Sequence, residues 1–356
     1  MNRILYIMHV DWNWIKQRPH FIAELLNDKY KIKLLYCLNK DRKNLKQNLS
    51  KISRLPFFQL PFRRKCKIIY NFNNLLLKLY IYFCIKIFKP KIIWLTHPYF
   101  ENYIPNSFKG KIVYDCMDDA IAMEENISKD RLLENEKKLF EKSDLILVSS
   151  ENLKKKIIDR NAPKEKINLI RNAYNGKILD VSQEQYIKNK DKIKIGYIGT
   201  ISEWFDFDLI LKSLKFNKNI EYNLIGPTDL DIDKYLNDNI IYHSVINHNQ
   251  LYNKIKDYDC LIMPFKINEI IESVDPVKLY EYINFNKIII SIKYDEINRF
   301  EKFTNFYSNE EEYIDLINNL TKNNYKKYSL DERIQFLNDN TWRKRIENIE
   351  FLLKNI

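Results

Sequence analysis

Two successive series of short apolar runs alternate with helical patterns along this chain, and this arrangement restricts the possible folds more than any other feature. Each run is rich in Ile, Leu or Val and is bounded by polar residues, which is typical of buried strands. The first series lies at residues 4–8, 32–37, 92–95, 112–114 and 145–148, and the second at residues 193–198, 222–225, 240–242, 260–263 and 288–291. Helical patterns, such as residues 18–26 and 131–142, lie between several of these runs. The alternation predicts an α/β fold with helices on both faces of doubly wound parallel sheets.

The break between the two series predicts two domains. The 356 residues suffice for two domains of about 150–200 residues each. The polar segment 173–192, which contains Gly176, separates the two series. Because doubly wound sheets bind ligands at the carboxyl ends of their strands, we expect the active site in the cleft between the domains.

Composition excludes several classes of protein. An apolar fraction of 45%, with 24 Tyr and 20 Phe, excludes disorder along the whole chain. Only 5 residues are Gly, which excludes collagen-like and Gly-rich sequences. The 59 Lys and Arg against 47 Asp and Glu leave a net charge of +12, which favours anionic partners: phosphates, nucleic acid or an acidic membrane surface.

Cysteine spacing and hydropathy indicate a cytoplasmic protein. The five cysteines show neither CxxC nor metal-ligand spacing, so we expect reduced thiols. The first apolar run is too short for a signal peptide. No stretch of about 18 residues is uninterruptedly apolar, so we do not expect a membrane-spanning helix.

The segment 63–91 differs from the rest in being basic, apolar and aromatic at once. Its polar stripe at helical spacing comprises Lys67, Asn71, Asn74 and Lys78. Two interpretations remain open: a core helix that covers the sheet, and a basic amphipathic helix lying on anionic lipid. A basic cluster supports the second, because each basic residue near such a surface contributes about 1 kcal/mol. The cluster comprises Arg63, Arg64, Lys65 and Lys67.

Polar and aromatic residues follow the first strand at the end where ligands bind. These candidates are Trp12, Trp14, Gln17, Arg18 and His20. Pro19 suits the first turn of the next helix, whose free N–H groups would face an anion or a sugar oxygen. The alternative is a loop whose tryptophans only pack.

Later strands of the first series also end in ionisable residues. His97 follows a strand, where it can act as a base near neutral pH or serve a structural role. Asp115, Asp118 and Asp119 would repel one another unless hydroxyl groups or cations face them. A sugar or a basic partner fits, as does a hydrated loop. A metal site would need further ligands from elsewhere.

The second series ends in turns that suit phosphate binding. Gly196 and Gly199 lack the full dinucleotide fingerprint, which argues against an ordinary NAD domain. Pro276 predicts a helix start, with Lys278 in its first turn and Glu281 one turn further. Free N–H groups and a lysine can hold a diphosphate, and the glutamate can accept ribose hydroxyls. A surface ion pair between Lys278 and Glu281 is the alternative.

Taken together, these residues resemble a GT-B glycosyltransferase, similar to the bacterial family-4 type that builds capsule, teichuronic acid or other surface polysaccharides. The resemblance covers nearly the whole chain and depends on the order and spacing of several motifs. They are Trp14-x-x-Gln17-Arg18-Pro19-His20, Tyr114-Asp115-x-x-Asp118-Asp119, Gly196-Tyr197-x-Gly199 with Trp204-x-Asp206, Pro264-Phe265, Pro276-x-Lys278-x-x-Glu281-Tyr282 and Thr341-Trp342-x-x-Arg345.

The resemblance implies two Rossmann-like domains: an acceptor-binding domain at residues 1–175, with the helix 341–356 packing back on it, and a nucleotide-sugar-binding domain at residues 190–340. The donor would contact Gly199, Thr200, Gly226, Pro276, Val277, Lys278, Leu279 and Glu281. The acceptor would contact Trp12, Trp14, Gln17, Arg18, His20, Asp115 and Asp119, with catalytic roles for His97, Asp118 and Lys278.

Three positions depart from the family pattern. Ser273 stands eight residues before Glu281, where the family usually has a glutamate, and Glu272 is its neighbour. Trp204, Phe205 and Asp206 stand where an Arg and a Lys usually follow the glycine turn. Asn172-Ala173 replaces the usual Asn-Gly.

The resemblance therefore implies transfer of a sugar from a nucleotide-diphosphate sugar, UDP- rather than GDP-linked, to a hydroxyl of a glycan or polyprenyl-linked glycan. We expect a retaining, metal-independent reaction without a cofactor, at the inner face of the cell membrane. An inverting reaction would need His97 or Asp118 as base. The alternatives are a GT-B-type sugar-nucleotide epimerase and a non-catalytic nucleotide-sugar-binding subunit. The chain lacks helix-turn-helix, zinc and RNP motifs, so we expect no nucleic-acid partner.

Overall fold

The described parts of the chain form two compact units. The computed structural model describes residues 2–38, 51–61, 66–124, 129–174, 176–181, 192–320 and 326–356. The first unit extends to residue 172 and also contains residues 342–356, and the second unit comprises residues 173–341. Each unit is built on its own sheet.

The first unit contains a seven-stranded sheet in which every neighbouring pair is parallel. Its strands are β1 Arg3–Met8, β2 Lys31–Leu38, β3 Ser53–Phe58, β4 Ile92–Leu95, β5 Lys111–Cys116, β6 Leu145–Val148 and β7 Ile167–Leu169. Its helices are α1 Arg18–Leu26, α2 Lys67–Phe88, α3 Lys129–Lys142, α4 Glu151–Asp159 and, from the end of the chain, α11 Trp342–Lys354. The strand order β3-β2-β1-β4-β5-β6-β7 reverses direction between β1 and β4. A ligand site is therefore expected at the carboxyl ends of these two strands.

The second unit contains a six-stranded sheet, again entirely parallel. Its strands are β8 Ile193–Ile198, β9 Ile220–Ile225, β10 Ile240–Tyr242, β11 Cys260–Met263, β12 Ile288–Ile292 and β13 Asn305–Tyr307. Its helices are α5 Phe207–Phe216, α6 His248–Ile255, α7 Glu269–Ser273, α8 Val277–Asn284, α9 Glu310–Asn318 and α10 Leu330–Asp339. The order β10-β9-β8-β11-β12-β13 places the corresponding reversal between β8 and β11. The predicted doubly wound α/β architecture is confirmed.

Three strands that the apolar runs did not predict, β3, β7 and β13, all lie at sheet edges. An edge strand pairs on one side only, so it needs no continuous run of Ile, Leu or Val. Pro56 within β3 is compatible with such a position.

The last helix, α11, packs on α1 in the first unit. Trp342 stacks on Phe21 with ring centroids 5.5 Å apart, and Lys29 pairs with Glu350 at 2.6 Å. Arg345 donates hydrogen bonds to two backbone carbonyls at the end of the continuous part of this unit, at residues 171 and 172. The late Trp-x-x-Arg motif therefore holds the chain where the first unit ends.

Helix α2 is only in small part a core helix. It connects β3 to β4 of one sheet and buries a narrow stripe, Asn73, Leu77, Ile81 and Phe88. By length and composition it could cross a membrane, with a mean hydropathy of 1.3 and 17% of the residues buried over 18 positions. Polar residues such as Asn74 and Lys78 interrupt its apolar run, and the expectation of no membrane-spanning helix stays a prediction.

The residues of the predicted polar stripe on α2 have different environments in the structure. Lys67 and Lys78 are exposed, whereas Asn74 accepts a hydrogen bond of 2.8 Å from the Tyr99 hydroxyl. The other three residues of the predicted basic cluster, Arg63, Arg64 and Lys65, lie outside the described residues.

Candidate functional site

Two glycine turns stack at the carboxyl ends of β8 and β9. Gly199 and Gly226 adopt φ angles of +146° and +141°, which side-chain-bearing residues rarely adopt. A Cβ on Gly226 would lie 2.1 Å from the Gly199 carbonyl oxygen, and one on Gly199 would lie 2.0 Å from Cε of Lys278. The predicted donor residue Gly226 therefore serves to let the two turns approach, and Gly199 lets Lys278 lie against the turn.

A buried tyrosine fastens α8 to the reversal point of the second sheet. The Tyr282 hydroxyl accepts a hydrogen bond of 2.9 Å from the backbone N–H of Ile198. The same oxygen lies 3.3 Å from the carbonyl oxygen of Ile262, at the end of β11. The turn before Pro276 is held by an ion pair between Asp275 and Arg299. The start of α8 is thus positioned at the carboxyl ends of β8 and β11.

Lys278 is a cation without an anionic partner among the described residues. Its Nζ lies 5.8 Å from the centroid of the Tyr197 ring and 5.7 Å from that of Phe265. No described carboxylate lies within 4.0 Å of it, so the predicted surface ion pair with Glu281 is absent. Burial lowers the pKa of the Lys278 ammonium, and the charge of Glu281 partly opposes this. Lys278 is half-buried, and a partly desolvated cation without an anionic partner is suited to bind an anion.

The first turn of α8 adds backbone donors beside this cation. Pro276 precedes the helix and provides no side-chain cap, so the N–H groups of Val277 and Lys278 remain for a ligand. The N–H of Leu279 already donates to the Pro276 carbonyl at 3.3 Å, and the Leu279 side chain is fully buried. Leu279, predicted to contact the donor, is therefore a core residue of this helix.

The remaining predicted donor residues lie near the same turn. Glu281 is half-buried, one turn along α8. Burial, with a contribution from the Glu281 carboxylate, raises the pKa of the Tyr174 hydroxyl to about 12. Thr200 is half-buried, and its carbonyl accepts a hydrogen bond of 2.7 Å from Tyr197.

The departures from the family pattern have internal roles. Ser273 is buried, and its hydroxyl donates to the Glu269 carbonyl at 3.0 Å, whereas Glu272 is exposed. Phe205 is buried against the Tyr197 ring, and Asp206 caps α5 by accepting a hydrogen bond of 3.0 Å from the N–H of Leu209. The segment after the glycine turn thus brings no cation, and the described positive charge at this turn comes from Lys278.

Two histidines meet at the reversal point of the first sheet. His9 follows β1 and His97 follows β4, and their ring centroids lie 5.0 Å apart. His9 Nδ1 lies 2.9 Å from the hydroxyl of Thr96. His9 was not among the predicted site residues, although it follows a strand just as His97 does. Neighbouring strands place such residues side by side, and that relation was the available signal.

The hydrogen bonding of His97 indicates which tautomer its neutral ring adopts. Its Nδ1 accepts a hydrogen bond of 3.2 Å from the backbone N–H of Tyr99. The neutral ring therefore carries its proton on Nε2. Burial lowers the pKa of His97 to about 4, so this neutral form persists through physiological pH.

Cations neutralise two of the three clustered aspartates. Asp115 is fully buried and pairs with Arg18 at 2.8 Å. Asp119 is also buried and pairs with Arg160 at 2.7 Å and with Lys156 at 3.2 Å. The predicted acceptor residues Arg18 and Asp115, and also Asp119, are therefore internal supports, and their side chains are not open to an acceptor.

Asp118 differs from both neighbours. Within the described residues its carboxylate has no hydrogen bond or ion pair. Burial raises the pKa of Asp118 to about 6; Arg18 opposes this shift, while the charges of Asp115 and Asp119 add to it. This carboxylate can exchange a proton near neutral pH.

The loop after β1 is largely internal. Trp12 and His20 are buried, with ring centroids 4.8 Å apart, and His20 Nε2 lies 3.3 Å from the Trp12 carbonyl oxygen. Gln17 donates its backbone N–H to His20 Nδ1 at 3.2 Å. The predicted acceptor contacts of Trp12 and His20 are thus replaced by packing, while Trp14 and Gln17 remain half-buried.

The two parallel, doubly wound units and the similar solved structures described below define a GT-B fold. No protein-family model matches the chain. A curated relative, "Putative teichuronic acid biosynthesis glycosyltransferase TuaH" of Bacillus subtilis (strain 168), is 21% identical over 227 residues. The match covers 59% of this chain, and the chain spans 57% of the relative's length.

Solved structures share the fold over the whole chain. Sucrose-phosphate synthase from Thermosynechococcus elongatus has a TM-score of 0.72 at 12% identity, covering 100% of this chain and 99% of its own. Anabaena Alr3699/HepE, solved in complex with UDP, has a TM-score of 0.71 at 12% identity, covering 100% of both chains. The lipopolysaccharide outer core galactosyltransferase WaaB has a TM-score of 0.67 at 15% identity, covering 98% of this chain and 99% of its own.

Proposed function

We propose that this protein is a glycosyltransferase that moves a sugar from a UDP-sugar to a hydroxyl of a glycan or lipid-linked glycan. The observation that carries the proposal is Lys278, a half-buried cation lying on a glycine turn beside the open N–H groups of α8. A diphosphate supplies the negative charge that this arrangement lacks. Glu281, one turn further along the helix, would accept ribose hydroxyls.

Two comparisons support the choice of donor and pathway. HepE, which shares the fold, was solved with UDP and with UDP-glucose. TuaH, which shares part of the sequence, is named for teichuronic acid biosynthesis. We therefore place this protein in the synthesis of a cell-surface polysaccharide, with UDP rather than GDP as the nucleotide.

The chemistry follows from the charge that develops on the leaving group. As the bond between the sugar and the diphosphate breaks, negative charge increases on the phosphate oxygen. Lys278 and the N–H groups of Val277 and Lys278 would stabilise that charge from positions held before the reaction begins. This arrangement performs the task of a divalent metal, so the proposed reaction needs none.

The histidine geometry favours a retaining course. An inverting reaction needs a side-chain base, and His97 is unsuited because its Nδ1 is engaged and its pKa is low. In the proposed retaining reaction the donor phosphate takes the proton of the acceptor hydroxyl. Asp118, with a raised pKa, is the base of the inverting alternative.

A location at the inner face of the cell membrane accords with a lipid-linked acceptor. Its support is the basic, apolar stretch around α2, where the exposed surface is unusually hydrophobic. The enzyme would then bind the membrane peripherally, and the donor would come from the cytoplasm.

One observation favours a second function. Ser273 replaces a glutamate of the family pattern, and its hydroxyl is engaged within its own helix. A non-catalytic subunit that binds a nucleotide sugar without transferring it would tolerate this change.

The test is release of UDP from a panel of UDP-sugars, with membrane-extracted lipid-linked glycans as acceptors. We expect acceptor-dependent release that Lys278→Met reduces about 100-fold or more, with Lys218→Met, an exposed lysine, as the control. The anomeric configuration of the product decides between a retaining and an inverting course. Nucleotide binding without any release would favour the non-catalytic subunit.

A further inference from the structure

The outward face of α2 is apolar over most of the helix, and the exposed Lys86 lies on it in the last turn. Residues spaced three or four apart form this face, with exposed fractions from 44% at Leu79 to 80% at Ile68. The face, called the α2 apolar face below, includes Ile68, Phe72, Leu75, Leu79, Phe83 and Ile87. The opposite stripe of the helix packs on the first unit. The helix is therefore apolar on two sides, and only one of them packs against other parts of the described structure.

A surface of this kind needs a partner. A surface helix of a soluble protein normally turns charged residues outward. Large contiguous apolar patches on soluble proteins mark binding sites for proteins, ligands or membranes. Exposed Phe58 on the edge strand β3, which directly precedes this crossover, adds to the apolar surface of the unit.

The charge of the surrounding sequence indicates what the partner is. Residues 42–100 contain thirteen Lys and Arg and no Asp or Glu. The remaining residues carry 46 basic and 47 acidic side chains, so the whole positive excess lies in this stretch. On α2 itself, Lys67 and Lys78 are exposed and lie three turns apart, on the same flank of the helix.

We propose that the α2 apolar face docks on an anionic lipid bilayer, with the helix lying in the plane of the interface. Its aromatic and aliphatic side chains would enter the acyl boundary, and Lys67 and Lys78 would meet the lipid phosphates. A second copy is a poor occupant, because a symmetric contact would bring the two basic stretches together. The proposal deepens the proposed function by giving the surface through which the protein reaches a lipid-linked acceptor.

The experiment is co-sedimentation of the full chain with vesicles of phosphatidylcholine alone or with added phosphatidylglycerol, over a range of salt concentrations. We expect binding to the anionic vesicles that weakens as salt rises. The variant Phe72→Gln/Leu79→Gln/Phe83→Gln should lose at least about tenfold in affinity, because three apolar side chains that would enter the bilayer become polar. The variant Lys67→Gln/Lys78→Gln should lose about fivefold for each lysine.

Matched controls use equally exposed residues elsewhere. Phe216→Gln and Phe351→Gln replace phenylalanines with exposed fractions of 67% and 66%, and Lys218→Gln replaces an exposed lysine. These variants should bind vesicles as the original protein does, and all variants should melt at the same temperature. Failure to bind anionic vesicles, or binding that the α2 variants leave unchanged, would overturn the proposal, as would self-association abolished by those variants.

Failure of this proposal and failure of the proposed function give different results. Vesicle binding needs no nucleotide, and UDP binding needs no membrane. If the α2 variants bind UDP normally yet lose vesicles, both proposals stand. If the protein binds UDP but no vesicles, the docking proposal alone fails.

Discussion

At the scale of single residues, the presence or absence of a partner of opposite charge distinguishes structural from reactive groups. Asp115 and Asp119 are buried carboxylates with cationic partners, while Lys278 and Asp118 lack partners of opposite charge within the described chain. Burying a charge is tolerated when it is paired and costs free energy when it is not. We therefore expect Lys278 and Asp118 to take part in ligand binding or catalysis.

Replacing Lys278 tests that division directly. We expect Lys278→Met to weaken UDP binding about 100-fold, because the charge facing the diphosphate is lost. The same variant should raise the free energy of unfolding by up to about 1 kcal/mol, because a half-buried cation without an anionic partner is removed. Calorimetry and denaturant unfolding measure the two effects, and a loss of both binding and stability would indicate a structural lysine.

The raised pKa of Asp118 predicts a stability that depends on pH. In the unfolded chain the carboxyl loses its proton near pH 4, and in the folded protein near pH 6. Between these values the folded state binds more protons, so stability falls as pH rises. The free energy of unfolding of Asp118→Asn should depend less on pH across this range. At pH 7 the variant should be more stable than the original protein by about 2–3 kcal/mol.

Denaturant unfolding at several pH values between 3.5 and 7.5 measures the difference between the two proteins. Groups such as His20, whose pKa burial lowers to about 4, act equally in both and cancel. Asp28→Asn, at an exposed position, provides the control. Parallel stability curves for Asp118→Asn and the original protein would contradict the account.

At the scale of elements, the site depends on how closely two turns and one helix approach. The glycines at the ends of β8 and β9 touch each other through backbone atoms, whereas Gly199 faces the flexible end of Lys278. Tyr282 holds α8 against both β8 and β11. Small changes in these turns should therefore affect stability and ligand binding in different proportions.

Alanine at each glycine separates the two effects. Gly226→Ala should destabilise more, by about 3 kcal/mol or above, since its Cβ would strike a backbone oxygen in addition to the strained φ. Gly199→Ala should cost about 1–3 kcal/mol, because the lysine side chain can move aside, but should weaken UDP binding strongly. Thermal unfolding and calorimetry give the comparison, and equal losses in both variants would refute the assigned roles.

Much of the element order could be predicted from the sequence because central strands are buried on both faces and therefore read as apolar runs. The start of α8 at Pro276 and the end of β8 before Gly199 could also be predicted, because proline and glycine mark such boundaries locally. The partners of the aspartates could not be predicted, because Arg18 and Arg160 lie 97 and 41 positions away along the chain. The sequence left two interpretations of α2 open, since its apolar residues fit a core helix as well as a surface one.

At the scale of the whole molecule, we propose that the positive charge has two uses. One cation, Lys278, serves the donor site, and the basic stretch containing α2 serves a surface. If these uses are separate, salt should weaken vesicle binding far more than nucleotide binding, because buried charges are screened less than exposed ones.

A metal-independent reaction is the corresponding prediction for catalysis. We expect turnover in excess chelator to stay within about twofold of turnover with added Mg²⁺, since Lys278 and the start of α8 supply the positive charge at the leaving group. The measurement is UDP release with and without chelator after the protein has been stripped of metal. Complete loss of activity in chelator, restored by a divalent cation, would contradict it.

The most direct test of the central claim is calorimetric titration with UDP, GDP, dTDP and CMP. The account predicts that UDP binds and that Glu281→Ala weakens binding about 10- to 100-fold through loss of charged hydrogen bonds to the ribose. The matched control is Glu272→Ala, which replaces an exposed glutamate nine positions earlier. This variant should bind UDP as the original protein does. Absence of binding by all four nucleotides, or equal affinity in Glu281→Ala, would contradict a UDP-sugar site in the second unit.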